Sequence, residues 1–334
     1  MRIGLAGLGF MGAMHLTAWR TVPGAQVVAA MSSDPKKLTG DLTGVGGNLG
    51  GTETSFDLSS TRKYRELKDL LADREIDAID ICLPTHLHST AALVALKAGK
   101  HVFLEKPLAL NFAAASEVVK AAQGKIFMVG HVLRFMPEYV ATKRLIEKKQ
   151  VRSAFFRRRC AAPTWSTWLT DTSKSGGALM DLLIHDLDYC LSVWGMPESL
   201  SATGHQDMAR GIDVSHIELH YPGQGPVMVT GGWHHPKSYP FSMEFTISTD
   251  EATLDWKNGN PLKRYSDTGG EQTVEVETVD LFSAELAYFA ECATKQTQPD
   301  RCPPEQSAQA VLLAELAGQS RARGGKEIQC QSNL

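Results

Sequence analysis

The sequence predicts an α/β protein, an N-terminal doubly wound parallel sheet followed by a C-terminal α+β domain on an open, mostly antiparallel sheet. Three observations carry this. A glycine loop, Gly7-Leu8-Gly9-Phe10-Met11-Gly12, stands between a strand-like run and an apolar helical run. The first 130 residues alternate strand-like and helix-like segments, as parallel sheets with crossover helices require. After about residue 150, strand-like runs dominate.

Taken in order, strands are predicted at 3–6, 26–31, 76–83, 101–105 and 126–129, and helices at 12–21, 64–72, 89–98 and 112–122. Gly99 ends the third helix and Asn111 is placed to N-cap the fourth. The Gly40–Ser60 stretch breaks the rhythm. Rich in Gly, Ser and Thr, it reads as an insertion-like, mobile surface loop near the adenosine end of the site. In the second half, strands are predicted at 154–159, 215–221, 227–233, 241–249 and 273–278, with one strong helix at 178–194. Helices at 281–294 and 305–321 close the chain, with Pro303 and Pro304 where proline is tolerated at a helix start. The expected division is a dinucleotide-binding domain at 1–130, a substrate and oligomerisation domain at 131–300, and a helix and tail at 301–334 packing back on the first domain.

A chain of 334 residues is long enough for two domains with sizeable cores. Formal net charge is −3, which gives no electrostatic case for nucleic acid or an acidic membrane. The one basic run, Arg157-Arg158-Arg159, reads as a strand with alternating faces in preference to a polyanion patch. No apolar run reaches the ~18 residues of a membrane span. The apolar start after Met1-Arg2 lacks the small-x-small site of a secretory signal. Six scattered cysteines without a C-x-x-C pair read as free thiols in a reducing compartment, hence a cytoplasmic protein.

The chemistry is placed by strand ends. In open parallel sheets, ligands sit outside the carboxyl ends of the strands. The first strand leads into Gly7, Gly9, Phe10, Met11 and Gly12, and there the helix N-terminus favours a pyrophosphate. The second leads to Ser32, the third to Pro84, Thr85, His86 and His88, the fourth to Glu105 and Lys106, and the fifth to His131 and Arg134. Ser32 occupies the slot where a carboxylate would hold the ribose of NAD, and Asp34-Pro35 reads as a helix start. Ser32, Ser33, Lys36 and Lys37 can take a 2′-phosphate, so NADP is favoured over NAD. In the 178–194 helix, Asp181 and His185 are four apart and share a face, an orienter and base for proton transfer or a structurally satisfied histidine. Asp186 and Asp188 point elsewhere, and neither His86/His88 nor His234/His235 has an obvious third ligand, so no metal site is expected. Trp165 and Trp168 precede that helix and are candidates for a substrate wall or for ordinary packing. Arg134 binds a substrate carboxylate or pairs with an acid such as Glu138.

In this combination the chain resembles the Gfo/Idh/MocA family of NAD(P)-dependent oxidoreductases. The resemblance rests on Gly7-x-Gly9-x-x-Gly12, on Pro84-Thr85-His86-Leu87-His88, on Ala98-Gly99-Lys100-His101-Val102, on Glu105-Lys106-Pro107, and on Gly176-Gly177 followed by Asp181 and His185. It implies a Rossmann domain, and a second domain whose outer sheet face forms a homodimer or homotetramer interface. It implies catalytic roles for Lys106, Asp181 and His185, and a small sugar, inositol or polyol substrate. Two other readings stay open: a family member that recycles tightly bound NAD in glycoside cleavage, and a nucleotide sensor without turnover.

Overall fold

The computed structural model describes residues 1–47 and 53–331, in two compact units. The middle of the predicted 40–60 loop therefore lies outside the described residues. Unit one comprises Met1–Val132 and Val279–Ala308; unit two comprises Leu133–Thr278 and Gln309–Leu334.

Unit one holds β1 (Arg2–Ala6), α1 (Phe10–Trp19), β2 (Gln26–Met31), β3 (Arg62–Tyr64), α2 (Leu67–Ala72), β4 (Ala78–Ile81), α3 (His88–Lys97), β5 (His101–Glu105), α4 (Phe112–Ala121) and β6 (Phe127–Gly130). The strands form one parallel sheet in the order β3-β2-β1-β4-β5-β6. This is the doubly wound order, with its switch point between β1 and β4. The caps behave as the side chains dictate: Asn111 Oδ1 accepts from the Ala114 N–H at 2.9 Å, and Gly99 has φ +79°. Two expectations are corrected. Residues 62–64 form an edge strand, so the helix predicted at 64–72 begins only at Leu67. The described part of the 40–60 segment is anchored: Leu42, Phe56 and Leu58 are buried in one core cluster with Leu5, Leu8, Leu16 and Ala30. Apolar residues among the glycines hold it down.

Unit two holds α5 (Pro137–Ile146), β7 (Val151–Cys160), the short helices α6 (Thr167–Thr170) and α7 (Thr172–Ser175), a π turn at Leu179–Leu183, and α8 (Ile184–Trp194). β8 (Ser199–Asp207), β9 (Ile212–His220), β10 (Val227–Trp233), β11 (Ser242–Thr249), β12 (Thr253–Lys257), β13 (Lys263–Ser266) and β14 (Gly270–Thr273) follow, and β15 (Ile328–Gln329) joins from the C-terminus. The sheet order is β14-β13-β12-β11-β7-β10-β9-β8-β15, antiparallel apart from the β7–β10 pair. The arginine run alternates as predicted. Arg158 faces inward to Asp186, while Arg157 and Arg159 meet Glu244 on the other face. The predicted strand at 273–278 ends at Thr273.

The expected domain boundaries are revised at the C-terminus. The helix Leu281–Lys295 belongs to unit one, where Phe289 meets Phe103 edge-on. The segment after 308 belongs to unit two, where Ile328 pairs with Leu200 of β8. Among the described residues, no helix is long and apolar enough to cross a membrane.

Candidate active site

In unit one, parallel register brings the strand ends to one edge. Ala6 lies opposite Met31 and Ile81, Ile81 opposite Leu104, and Glu105 opposite Gly130. The residues that follow each strand therefore line a common rim, as the strand-end rule predicts. Gly7 turns the chain with φ +107°, and a Cβ there would meet the Cys82 carbonyl oxygen at 2.5 Å. Gly9 is the N-cap of α1, and a Cβ on it would meet nothing within 4 Å. That open space at a helix N-terminus fits a pyrophosphate. A Cβ on Gly12 would come within 2.0 Å of the Gly7 carbonyl oxygen, so only glycine lets α1 pack against the turn. We expect Gly12→Ala to raise the dissociation constant of reduced nicotinamide dinucleotide at least about tenfold, because α1 must move off the loop. A fluorescence titration of the folded variant showing native affinity would refute this. Phe10 and Met11 are half-buried at the helix start, and the chain at Gly47 passes so close to the Phe10 ring that a Cβ would overlap it.

At the end of β2, Ser32 is buried and its hydroxyl accepts from the Asp34 N–H at 3.2 Å. The Asp34 carboxylate accepts from the Lys36 N–H at 2.9 Å, an Asx turn. Asp34 therefore shapes a turn as expected, but the helical turn that follows, Lys37–Thr39, has Lys36 at its N-cap. Ser33 is exposed, Lys37 is half-buried, and Lys36 pairs with Asp41 at 3.2 Å. Sequence reading missed a cation here. Arg65 follows β3 and donates to the Ser33 carbonyl at 2.6 Å. The sequence hides it because the strand before it is only three residues long, too short to show alternation.

Beyond β4 and β5, Pro84 and Lys106 are half-buried and Thr85 is buried. The Lys106–Pro107 peptide is cis. His88 departs from its expected cofactor contact. It is buried, with one ring nitrogen 2.7 Å from the Pro107 carbonyl and the other 2.6 Å from the Leu83 carbonyl. It ties the Glu-Lys-Pro loop to the end of β4, and burial pushes its pKa down. Glu105 also faces inward: Oε1 lies 3.0 Å from His15 Nε2, and Oε2 accepts the Lys106 N–H at 3.2 Å. His15 Nδ1 lies 2.9 Å from Asp80, which also accepts from Trp19 Nε1 at 2.7 Å. Burial opposes charge on His15, but Asp80 and Cys82 together outweigh it and the pKa is raised well above the usual value. Sequence reading missed this group, although an aspartate inside the apolar run Ile79-Asp80-Ile81 was a visible signal, because a buried carboxylate requires a partner. His131 is buried directly after β6.

In unit two, Gly176 and Gly177 have φ of +76° and +70°. A Cβ on Gly177 would meet Asp213 Oδ2 at 2.3 Å, and the same carboxylate accepts from the Ala178 N–H at 2.8 Å. The glycine pair thus lets a strand aspartate cap the helical segment. Asp181 stands in the π turn and His185 in the first turn of α8, both half-buried. The Asp181 carboxylate, after burial, helps push the Cys160 thiol up to about 12, so that thiol is no nucleophile. Arg134 is held by Asp188, Nε to Oδ2 at 2.8 Å and Nη2 to Oδ1 at 2.7 Å. Of the two sequence readings of Arg134, this is the pairing with a structural acid, and the acid is Asp188 where Glu138 was the example. Asp186 and Asp188 are each buried on an arginine, Arg158 and Arg134 respectively. Trp165 is 40% exposed and Trp168 half-buried, which leaves Trp165 outside any core.

The fold and these residues define a nucleotide-dependent oxidoreductase with a parallel dinucleotide sheet and a second, mostly antiparallel sheet. Residues 1–131 match the model of the oxidoreductase family with an NAD-binding Rossmann fold, and residues 134–255 match the GFO/IDH/MocA C-terminal domain. The chain belongs to the Gfo/Idh/MocA family of oxidoreductases. It is 33% identical over 295 residues to 4-carboxy-2-hydroxymuconate-6-semialdehyde dehydrogenase of Sphingobium sp. (strain NBRC 103272 / SYK-6), covering 84% of this chain and 85% of that one. It is 34% identical over 206 residues to scyllo-inositol 2-dehydrogenase (NAD(+)) of Bacillus subtilis (strain 168), covering 61% of this chain and 55% of that one. Levoglucosan dehydrogenase in complex with NADH and L-sorbose shares the fold, with TM-score 0.85, 16% identity and 99% of both chains covered.

Proposed function

We propose that this protein transfers a hydride between a nicotinamide cofactor and a secondary hydroxyl or ketone of a sugar, inositol or related polyol, without a metal ion. The observation that carries this is the presence, in one chain of the family, of Lys106 at the end of β5 and of Asp181 and His185 before and within α8. Bound nicotinamide supplies the hydride acceptor or donor. His185 takes the hydroxyl proton and Asp181 orients it. Lys106 stabilises the developing alkoxide. His131, Trp165 and Trp168 form the substrate wall in this reading, and Gly7, Gly9, Gly12, Pro84 and Thr85 hold the cofactor. The test is a screen of sugars, inositols and their oxidised forms with both cofactors, following absorbance of reduced nicotinamide. Carboxylated semialdehydes belong in it, because a relative 33% identical over 84% of this chain is named for one. Absence of turnover across the screen, with nicotinamide retained through purification, would favour internal recycling instead.

The cofactor in this reading is NADP. Asp34 is engaged in its turn, while Ser32, Ser33, Lys37 and Arg65 surround the end of β2. Arg65→Ala is expected to lower kcat/KM for NADPH about tenfold, the scale of one charged hydrogen bond, and to change NADH little. Equal losses with both cofactors, or a strong native preference for NAD, would defeat it. We further propose a homodimer or homotetramer through the open sheet face carrying Phe155, to be read by light scattering.

A further inference from the structure

Inside unit one, five titratable groups meet away from solvent, among them the Cys82 thiol, 3.2 Å from His15 Nδ1. His15, Asp80 and Glu285 have no exposed surface, and Glu105 is 5% exposed. His15 presents one nitrogen to Asp80 and the other to Glu105, so both ring nitrogens donate and the imidazole is a cation. Two carboxylates face this one imidazolium. Neither carboxyl oxygen of Glu285 has a hydrogen-bond partner. Burial, with Glu105 nearby, pushes the Glu285 pKa well up. Two sets of three, His15 with Asp80 and Cys82, and His15 with Glu105 and Glu285, come near enough to hold a metal ion. The imidazole already stands between the Asp80 and Glu105 carboxylates, at 2.9 and 3.0 Å.

The charged pair leads to one place. Glu105 uses one oxygen on His15 and the other on the backbone N–H of Lys106. His88 fixes the far side of the same loop through the Pro107 carbonyl.

We propose that His15 is a positioning residue for Lys106: it locks the Glu105 carboxylate from beneath, and that carboxylate sets the backbone from which the Lys106 side chain projects. This rests on the reading of Lys106 as catalytic. His15 itself touches no reacting atom. Its effect appears in turnover, not in cofactor affinity, because the glycine loop is left in place.

The test is a double-mutant cycle on the full-length protein with its best substrate. His15→Gln, which reaches only one of the two carboxylates, is expected to lower kcat at least tenfold while the cofactor dissociation constant stays within threefold. Adding His15→Gln to Lys106→Ala is expected to cost nothing further, since the residue acts through Lys106. Glu105→Ala is expected to show the same kcat loss, and Glu105→Gln, whose amide oxygen still accepts the Lys106 N–H, to recover most of it. Thermal melting checks that each variant is folded. If His15→Gln does not fold, the Glu105→Ala and Glu105→Gln pair decides alone. Additive losses in the cycle, no kcat loss in folded variants, or no recovery in Glu105→Gln would overturn the proposal. Undiminished turnover in Lys106→Ala alone would instead overturn the catalytic reading beneath it.

Discussion

Replacing Lys106 with alanine is expected to lower kcat/KM by roughly 10²- to 10³-fold, the scale of losing one preorganised group at a developing oxyanion. Replacing His185 with alanine is expected to cost about 10²- to 10⁴-fold, the range for a positioned general base. Both losses fall on kcat, because each group meets charge that develops only as the hydroxyl proton and hydride leave. Cofactor binding is expected to survive, since the glycine loop and the end of β2 are untouched. Lys106→Arg does not restore turnover in this account, because a broad planar fork cannot take the place of a compact ammonium. Steady-state kinetics with a fluorescence titration of the cofactor separate the two effects. The assignment fails if Lys106→Ala and His185→Ala both keep turnover near the native level.

The second large effect is on stability. The Arg158–Asp186 pair is bidentate, with both bonds at 3.0 Å and both side chains almost fully buried. Removing one partner leaves the other charge stranded in the core. Asp186→Asn or Arg158→Met is therefore expected to destabilise the protein by roughly 3–5 kcal/mol, with a melting temperature lower by about 10 °C. Removing both together, as Arg158→Met with Asp186→Leu, is expected to restore most of the loss, because two apolar side chains need no solvation. Chemical denaturation of the three variants measures this. Single variants within about 1 kcal/mol of native would show that water reaches the pair. The Arg134–Asp188 pair obeys the same logic at 3% and 1% side-chain exposure.

These pairs mark where reading the sequence succeeds and where it stops. The glycine loop was legible because each of its constraints lies within a few residues. Gly7 must turn, and Gly12 must admit the Gly7 carbonyl. The Asn111 cap and the alternation around Arg158 were legible for the same reason. The partners of Arg134, Arg158 and Glu105 were not, since each lies on another element and no local pattern selects it. Asp188 is 54 residues from Arg134, and His15 is 90 from Glu105. The π turn at Leu179–Leu183 also escaped, because one wide turn does not disturb a helical apolar pattern enough to be seen. The edge strand at 62–64 was too short to show alternation. Leu42, Phe56 and Leu58 were overlooked because glycines dominate the segment that carries them.

The discontinuity of unit one has a consequence during protein synthesis. A nascent chain that has released residue 132 already carries all six strands of the parallel sheet, yet lacks the helix Leu281–Lys295 that packs on α1 and β5. Phe103, His15 and Glu105 then stand without Phe289, Phe282 and Glu285. At ordinary elongation rates the missing piece arrives about ten seconds or more later. The nucleotide-binding unit is thus begun before the second unit and completed only after most of that unit has been made, and a ribosome-stalled fragment ending before Val279 carries an open apolar flank for chaperones to cover.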